Sequence, residues 1–138
     1  MGAGSGAATN MMAKSFSETE LVTSDISEAY LNVAKKRLAG LSNLSFVRTD
    51  ASHTPFKDKA FDLVFSIFLF HEVPLDVREA ILKESNRLLA RGGYVAVSDS
   101  IQVGDIPHMD WAIEDFPKNF HEPFYKAYVS RPIEDSLK

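Results

Sequence analysis

Gly2-Ala3-Gly4-Ser5-Gly6 places three glycines at alternate positions. The loop runs straight into Ala7 to Phe16, where Ala8, Met11, Met12 and Phe16 recur at helical spacing. Glycine tolerates positive φ and lets a ligand approach the main chain, and the first turn of a following helix offers free amide hydrogens. A flexible leader has the same composition, so the loop gains meaning only from what comes after it. Asp25 stands 19 residues beyond Gly6, at the end of the short run Leu21 to Ser24. A carboxylate in that place can accept hydrogen bonds from two ribose hydroxyls. Asp50-Ala51 follows the next run, Leu44 to Arg48. Its carboxylate can accept from an exocyclic amine such as adenine presents, and the alanine keeps the wall beside it narrow. A third run, Phe61 to Ser66, brings Ser66 and Ile67 out where such a ligand would lie, whereas Asp62 holds the loop before the strand.

These residues need a scaffold that gathers them. The runs 21–24, 44–48, 61–66 and 94–98 read as strands, separated by helical patterns. Ser27 is the expected N-cap of a helix with Glu28 in its first turn, Tyr30, Leu31, Ala34 and Leu38 on one face, and Gly40 as its stop. A second helix runs from about Val77 to Leu89, with Val77, Ile81, Ser85 and Leu88 turned inward. Arg91-Gly92-Gly93 reads as a turn before the strand that finishes at Asp99, and beyond Ile101 only a helix near Pro123 to Val129 is expected. Alternating strands and helices predict a parallel sheet with helices on its faces. Ligands bind such sheets beyond the carboxyl ends of the strands, where Gly2 to Gly6, Asp25, Asp50 and Ser66 all fall.

Composition narrows the function. A chain of 138 residues suits one domain, and 45% hydrophobic with 25% charged residues is an ordinary folded balance. The net charge of −4 argues against a surface built to grip nucleic acid, and Lys35, Lys36 and Arg37 read as a solvated helix face. The absence of cysteine excludes disulfides and thiolate metal sites. His53, His108 and His121 are too scattered to read as ligands, so no metal is expected. No apolar run reaches the roughly 18 residues of a membrane span, and no basic segment followed by an apolar one opens the sequence, so a signal peptide is not expected from these residues. A cytoplasmic location is the default expectation, with organelle import also open.

Taken in order, Gly2-x-Gly4-x-Gly6, Asp25-Ile26-Ser27, Asp50-Ala51, Phe61-Asp62-Leu63-Val64-Phe65-Ser66 and Leu88 through Gly92-Gly93 to Asp99 resemble the class I S-adenosylmethionine-dependent methyltransferases. The likeness is greatest to the group that modifies quinones and sterols, and it covers Gly2 to Ile101. It implies a Rossmann-like three-layer α/β sandwich with a mostly parallel sheet, and S-adenosyl-L-methionine as cofactor. By that likeness Gly2, Gly4 and Gly6 surround the methionine part, Asp25 holds the ribose and Ile26 packs on the adenine. Asp50 and Ala51 meet its amine edge and ring, Ser66 and Ile67 pass beside the cofactor, and His71 faces the pocket. His71 is also the one candidate for a catalytic base.

The family places a buried strand immediately before the glycine loop and closes its sheet with a β-hairpin. This sequence shows neither, so the expectation is a chain truncated at both ends. Residues 1–101 are then a partial cofactor-binding core and 102–138 a partial substrate cover. Trp111, Phe116, Phe120, Phe124, Tyr125 and Tyr128 could line that cover for a small lipophilic or ring-bearing methyl acceptor. Two alternatives stand beside methyl transfer. Gly2-x-Gly4-x-x-Ala7 also satisfies the dinucleotide fingerprint of NAD-dependent oxidoreductases, though no Tyr-x-x-x-Lys dyad accompanies it. A non-catalytic module on the same fold is the other. Oligomeric state is not legible.

Overall fold

The computed structural model describes residues 1–136. In chain order they form α1 (Ala7–Ser15), β1 (Leu21–Asp25), α2 (Glu28–Arg37), β2 (Leu44–Arg48), β3 (Phe61–Ile67), α3 (Leu75–Leu88), β4 (Leu89–Ser98), α4 (Asp110–Asn119) and α5 (Tyr125–Val129). Single 3-10 turns occupy Phe70–Glu72, Pro107–Met109 and Ile133–Ser136. The α/β architecture with parallel strands is the one expected. β1 pairs with β2 from Leu21↔Leu44 to Asp25↔Arg48, and β3 pairs with β4 through Val64↔Val95 to Ile67↔Ser98.

The strands form two parallel pairs rather than one continuous sheet. The first residues of the chain reach across. The Met1 amino group donates to the Phe65 carbonyl at 2.9 Å, and Ala3 N donates to the Ser24 carbonyl at 3.0 Å. The remaining space between β1 and β3 is a groove lined by Leu21, Val22, Leu63, Phe65 and Leu88, among others. The carboxyl ends of both pairs share one rim, where Asp25 and Asp50 meet Leu69 around a common cavity.

Several local expectations shift. α1 buries Thr9 and Ala13, whereas Met11 and Phe16 are exposed. The small residues lie inward because this helix approaches α2 closely at Gly6, where a side chain would collide with Ala34 and Leu38. On α2, Leu31, Ala34 and Leu38 are buried, but Tyr30 turns outward, and Ser27 Oγ caps the helix by accepting from Tyr30 N at 3.3 Å. The Arg91-Gly92-Gly93 turn lies inside β4 as an irregularity, with Phe61 opposite Leu89 and Leu63 opposite Tyr94. α4 lies outside the helices expected from the sequence, and Pro117 sits within it, near its C-terminal end.

A single apolar cluster joins the sheet region to the C-terminal segment. Phe70, Ile81 and Leu82 pack with Ile113 of α4 and with Tyr125, Tyr128 and Val129 of α5. Arg78 is buried in the same place. Its Nε donates to the carbonyls of Phe70 at 2.7 Å and Val73 at 2.9 Å, and one terminal nitrogen donates to the Phe124 carbonyl at 3.0 Å. Its guanidinium also lies over the Tyr128 ring, 5.2 Å from the centroid.

The long connection between β2 and β3 is held down by one buried carboxylate. Glu84 Oε1 accepts from Thr54 N at 2.7 Å, from Thr54 Oγ1 at 2.6 Å and from Arg87 at 2.7 Å. Arg87 reaches on to the Phe56 carbonyl and to Asp58. The bonds from Arg87, followed by those from Thr54, outweigh desolvation and hold the Glu84 carboxyl down to about 2, from an ordinary 4.5. A folded-state value below the unfolded one means stability that is complete above the unfolded value and lost as pH falls through the folded one. Glu84→Gln is therefore expected to cost roughly 2 kcal/mol at neutral pH, the scale of a charged hydrogen bond. Urea titrations from pH 7 to pH 2 should show the gap between the two proteins shrinking below about pH 4.5. A gap that stays constant down to pH 2 contradicts this account.

Candidate functional site

Each loop at the carboxyl rim is shaped by the aspartate beside it. Asp25 ends β1 and is buried. Its Oδ2 accepts from Gly4 N and its Oδ1 from Ser27 N, both at 2.8 Å, so one carboxylate ties the glycine loop to the start of α2. Thr49 N donates to the Asp25 carbonyl at 3.0 Å, which brings the exit of β2 alongside. Asp50 is exposed and turns its own loop through Oδ1, which accepts from Ser52 N at 2.8 Å and Ser52 Oγ at 2.7 Å. Those bonds hold its carboxyl below the usual carboxylate range. No hydrogen bond falls on Asp50 Oδ2 among the described residues.

Between these loops lies a cavity of about 160 Å³. Gly2, Asp25, Ile26, Asp50 and Ala51 line it, five of the residues that the sequence points to. Leu69, Val73, Val77 and Ile81 complete the apolar wall. Those four carried no separate signal in the sequence, where apolar residues on and before a helix read simply as core.

The other candidates lie elsewhere. Gly4 opens onto empty space, with φ of 50° and nothing within 4 Å of where a Cβ would stand. Gly6 is buried, with φ of 82°, and a Cβ there would meet Ala34 Cβ at 3.0 Å and Leu38 Cδ1 at 3.1 Å. Its place is to let α1 start hard against α2. Ile67 borders a smaller hollow shared with Gly2, Ala3, Ala8 and Thr9. Ser66 is buried, and its hydroxyl has no hydrogen-bond partner among the described residues. His71 follows Leu69 by two residues, and its Nδ1 lies 2.5 Å from Asp99 Oδ1. The rings of Phe68, Tyr125 and Tyr128 stand edge-on around the imidazole at 5.9–6.3 Å. The structure also brings together His71, Glu72 and Glu122, whose ligand atoms lie within 4.8 Å of one another although Glu122 is distant in sequence.

An adenosyl group needs an apolar slot, an acceptor for vicinal hydroxyls and an acceptor for an amine. Ile26, Ala51 and Leu69 could supply the first, Asp25 the second and Asp50 Oδ2 the third, all around one cavity. A glycine whose Cβ position is open stands next to Asp25, where the rest of such a ligand would pass. The residues present therefore fit the group.

Comparison with known proteins identifies the family. Residues 1–93 match the family model described as a methyltransferase domain, and the chain belongs to that family, of the S-adenosylmethionine-dependent class. A fatty-acid O-methyltransferase of Mycolicibacterium smegmatis is 32% identical over 118 residues, covering 85% of this chain and 42% of the relative. A demethylmenaquinone methyltransferase of Staphylococcus aureus is 39% identical over 100 residues, covering 72% and 41%. Among solved structures, phosphoethanolamine N-methyltransferase 1 of Haemonchus contortus, in complex with phosphoethanolamine and S-adenosylhomocysteine, superposes with a TM-score of 0.64. It is 28% identical, and the match covers 74% of this chain and 22% of that one. The chain spans less than half the length of the curated relatives it matches.

The two inner glycines should separate in experiment. Gly6→Ala combines a left-handed φ with a collision and should cost roughly 2 kcal/mol of stability. Gly4→Ala has room, so its stability loss should stay near 1 kcal/mol while S-adenosylhomocysteine binding weakens more. Thermal melts and titration calorimetry on both variants check this, and equal melting losses would count against the assignment.

Proposed function

We propose that this chain binds S-adenosylmethionine in the cavity between Asp25 and Asp50 and directs its methyl group to a small acceptor, lipophilic or ring-bearing, beneath residues 102–136. The observation that carries the reading is the convergence of Gly2, Asp25, Ile26, Asp50 and Ala51 on one cavity at the carboxyl ends of the strands. Asp25 would accept from the ribose hydroxyls, Ile26 and Ala51 would sandwich the base, and Asp50 Oδ2 would accept from its amine. Bound there, the cofactor supplies a methyl group already activated by its sulfonium, so the protein's share is alignment and exclusion of water.

The C-terminal segment supports the acceptor half of the reading. Phe116 and Phe120 stack at 4.5 Å, and Phe116 meets Tyr125 at 4.7 Å. Tyr125 and Tyr128 are buried and anchor this layer on α3, while Trp111 and Phe120 remain exposed. The anchored rings hold the segment in place, and the exposed ones are left to meet an apolar acceptor. The named relatives act on chemically different acceptors, a fatty acid, a menaquinone precursor and phosphoethanolamine, so the family alone selects none of them.

The competing oxidoreductase reading makes a different demand on the same cavity. S-adenosylhomocysteine is expected to raise the melting temperature of the chain, and NAD is expected to leave it unchanged. Ile26 is 64% exposed, so Ile26→Ala should leave the melt of the free protein within about 0.5 kcal/mol. The lost apolar contact should weaken S-adenosylhomocysteine roughly tenfold by calorimetry. Stabilisation by NAD in preference to S-adenosylhomocysteine would sink the proposal.

A further inference from the structure

We propose that His71, Glu72 and Glu122 form a binding site for a divalent cation of the zinc class, which ties the turn at Phe70–Glu72 to the connection between α4 and α5. The site is separate from methyl transfer and does not depend on it. One ring nitrogen of His71 and one carboxylate oxygen from each glutamate lie within 4.8 Å of one another. Nδ1 is taken by Asp99, and Nε2 faces Glu72, whose Oε1 is 4.0 Å away. All three groups are acceptors when the imidazole is neutral. Among the described residues, no lysine or arginine forms an ion pair with either glutamate. Two carboxylates beside a lone pair repel one another until a positive charge sits between them.

Independent support comes from the far side of the imidazole. Nδ1 lies 2.5 Å from Asp99 Oδ1. The Asp99 side chain is 1% exposed, and it also accepts from Leu69 N, Phe70 N and Ser100 N at 2.8–3.0 Å. A carboxylate with three amide donors is ionised and only accepts, so the imidazole gives it the Nδ1 proton. The Nε2 lone pair is then turned toward the glutamates. Histidines that ligate metals are held in this way, with the second ring N–H on a carboxylate that fixes tautomer and plane. The rings of Phe68, Tyr125 and Tyr128 hold the same plane from the sides.

One imidazole nitrogen with two carboxylate oxygens suits zinc, whereas calcium and magnesium take oxygen ligands in larger number. Zinc bonds of ~2.0–2.2 Å place two ligand atoms at most ~4.4 Å apart. A spread of up to 4.8 Å therefore closes with a small rotation of the glutamate side chains, of which Glu72 is exposed. Three protein ligands leave a further position for water. The backbone that carries the ligands is already in place. Phe70 packs with Tyr125 and Tyr128, Glu72 N donates to the Leu69 carbonyl at 3.1 Å, and Tyr125 N donates to the Glu122 carbonyl at 3.2 Å. The cation adds a direct link between two segments that the apolar cluster has brought together.

Zinc titrated into the chelator-treated full chain tests the site, followed by calorimetry and by long-range ¹⁵N–¹H spectra of the histidines. One equivalent should bind, and His71, not His53, His108 or His121, should show a metal-bound Nε2. Amide exchange from Phe120 to Tyr125 should slow at the same time, an effect that a cation held by the turn alone would not have. Glu72→Gln and Glu122→Gln should each melt like the wild type without metal. Each should weaken zinc at least roughly tenfold, since even the outer partners of a metal are worth that much. His121→Gln, adjacent in sequence but outside the site, should keep the wild-type affinity within about twofold. A dissociation constant weaker than roughly 1 mM overturns the proposal. So does an Nε2–H signal of His71 that persists at saturating zinc, which would mean that a proton shared with Glu72 fills the space instead. Unchanged affinity in both glutamine variants, or its loss in His121→Gln, overturns it equally.

Discussion

Carboxylates that accept main-chain amides at strand exits organise the whole functional rim. Asp25 draws in Gly4 and Ser27, Asp50 draws in Ser52, and Asp99 draws in Leu69, Phe70 and Ser100. In each case the strand delivers the aspartate to the same edge, and the aspartate then bends the loop beside it, or the loop leaving the neighbouring strand. A charged acceptor makes stronger bonds to amides than a neutral one, and it does so where the strand ladder has stopped supplying partners. The cavity exists because three such turns are held in fixed positions around it.

The same economy links the core to the site. Phe70 is bound through its amide to Asp99 and through its carbonyl to Arg78, and its side chain lies at the centre of the apolar cluster. Residues on either side of it, Leu69 and His71, face the cavity and the aromatic layer respectively. α5 closes over this turn with Tyr125, Tyr128 and Val129, so the C-terminal segment and the strand region share one hydrophobic core. No helix among the described residues is long and apolar enough to cross a membrane.

Much of the fold was legible because its signals are local. Apolar runs bounded by polar turns marked all four strands, and the Ser27 cap with Glu28 marked α2 correctly. What failed was local too. Met11, Phe16 and Tyr30 have helical spacing but face outward, because which stripe turns inward depends on the partner helix, and here a glycine contact favours small residues. α4 starts without a capping side chain and carries Pro117 near its end, so no local signal marked it.

Residue types and their order determined the family, the parallel α/β plan and the roles open to Gly2, Asp25, Ile26, Asp50 and Ala51. These follow from chain-local chemistry, in which a glycine permits an approach and an acid after a strand accepts. Tertiary structure alone decided that Gly6 serves helix packing, that Leu69, Val73, Val77 and Ile81 wall the cavity, and that Asp99 fixes one nitrogen of His71. Those facts depend on which distant segments meet, and a hydrogen bond between residues 28 apart leaves no trace in composition or period.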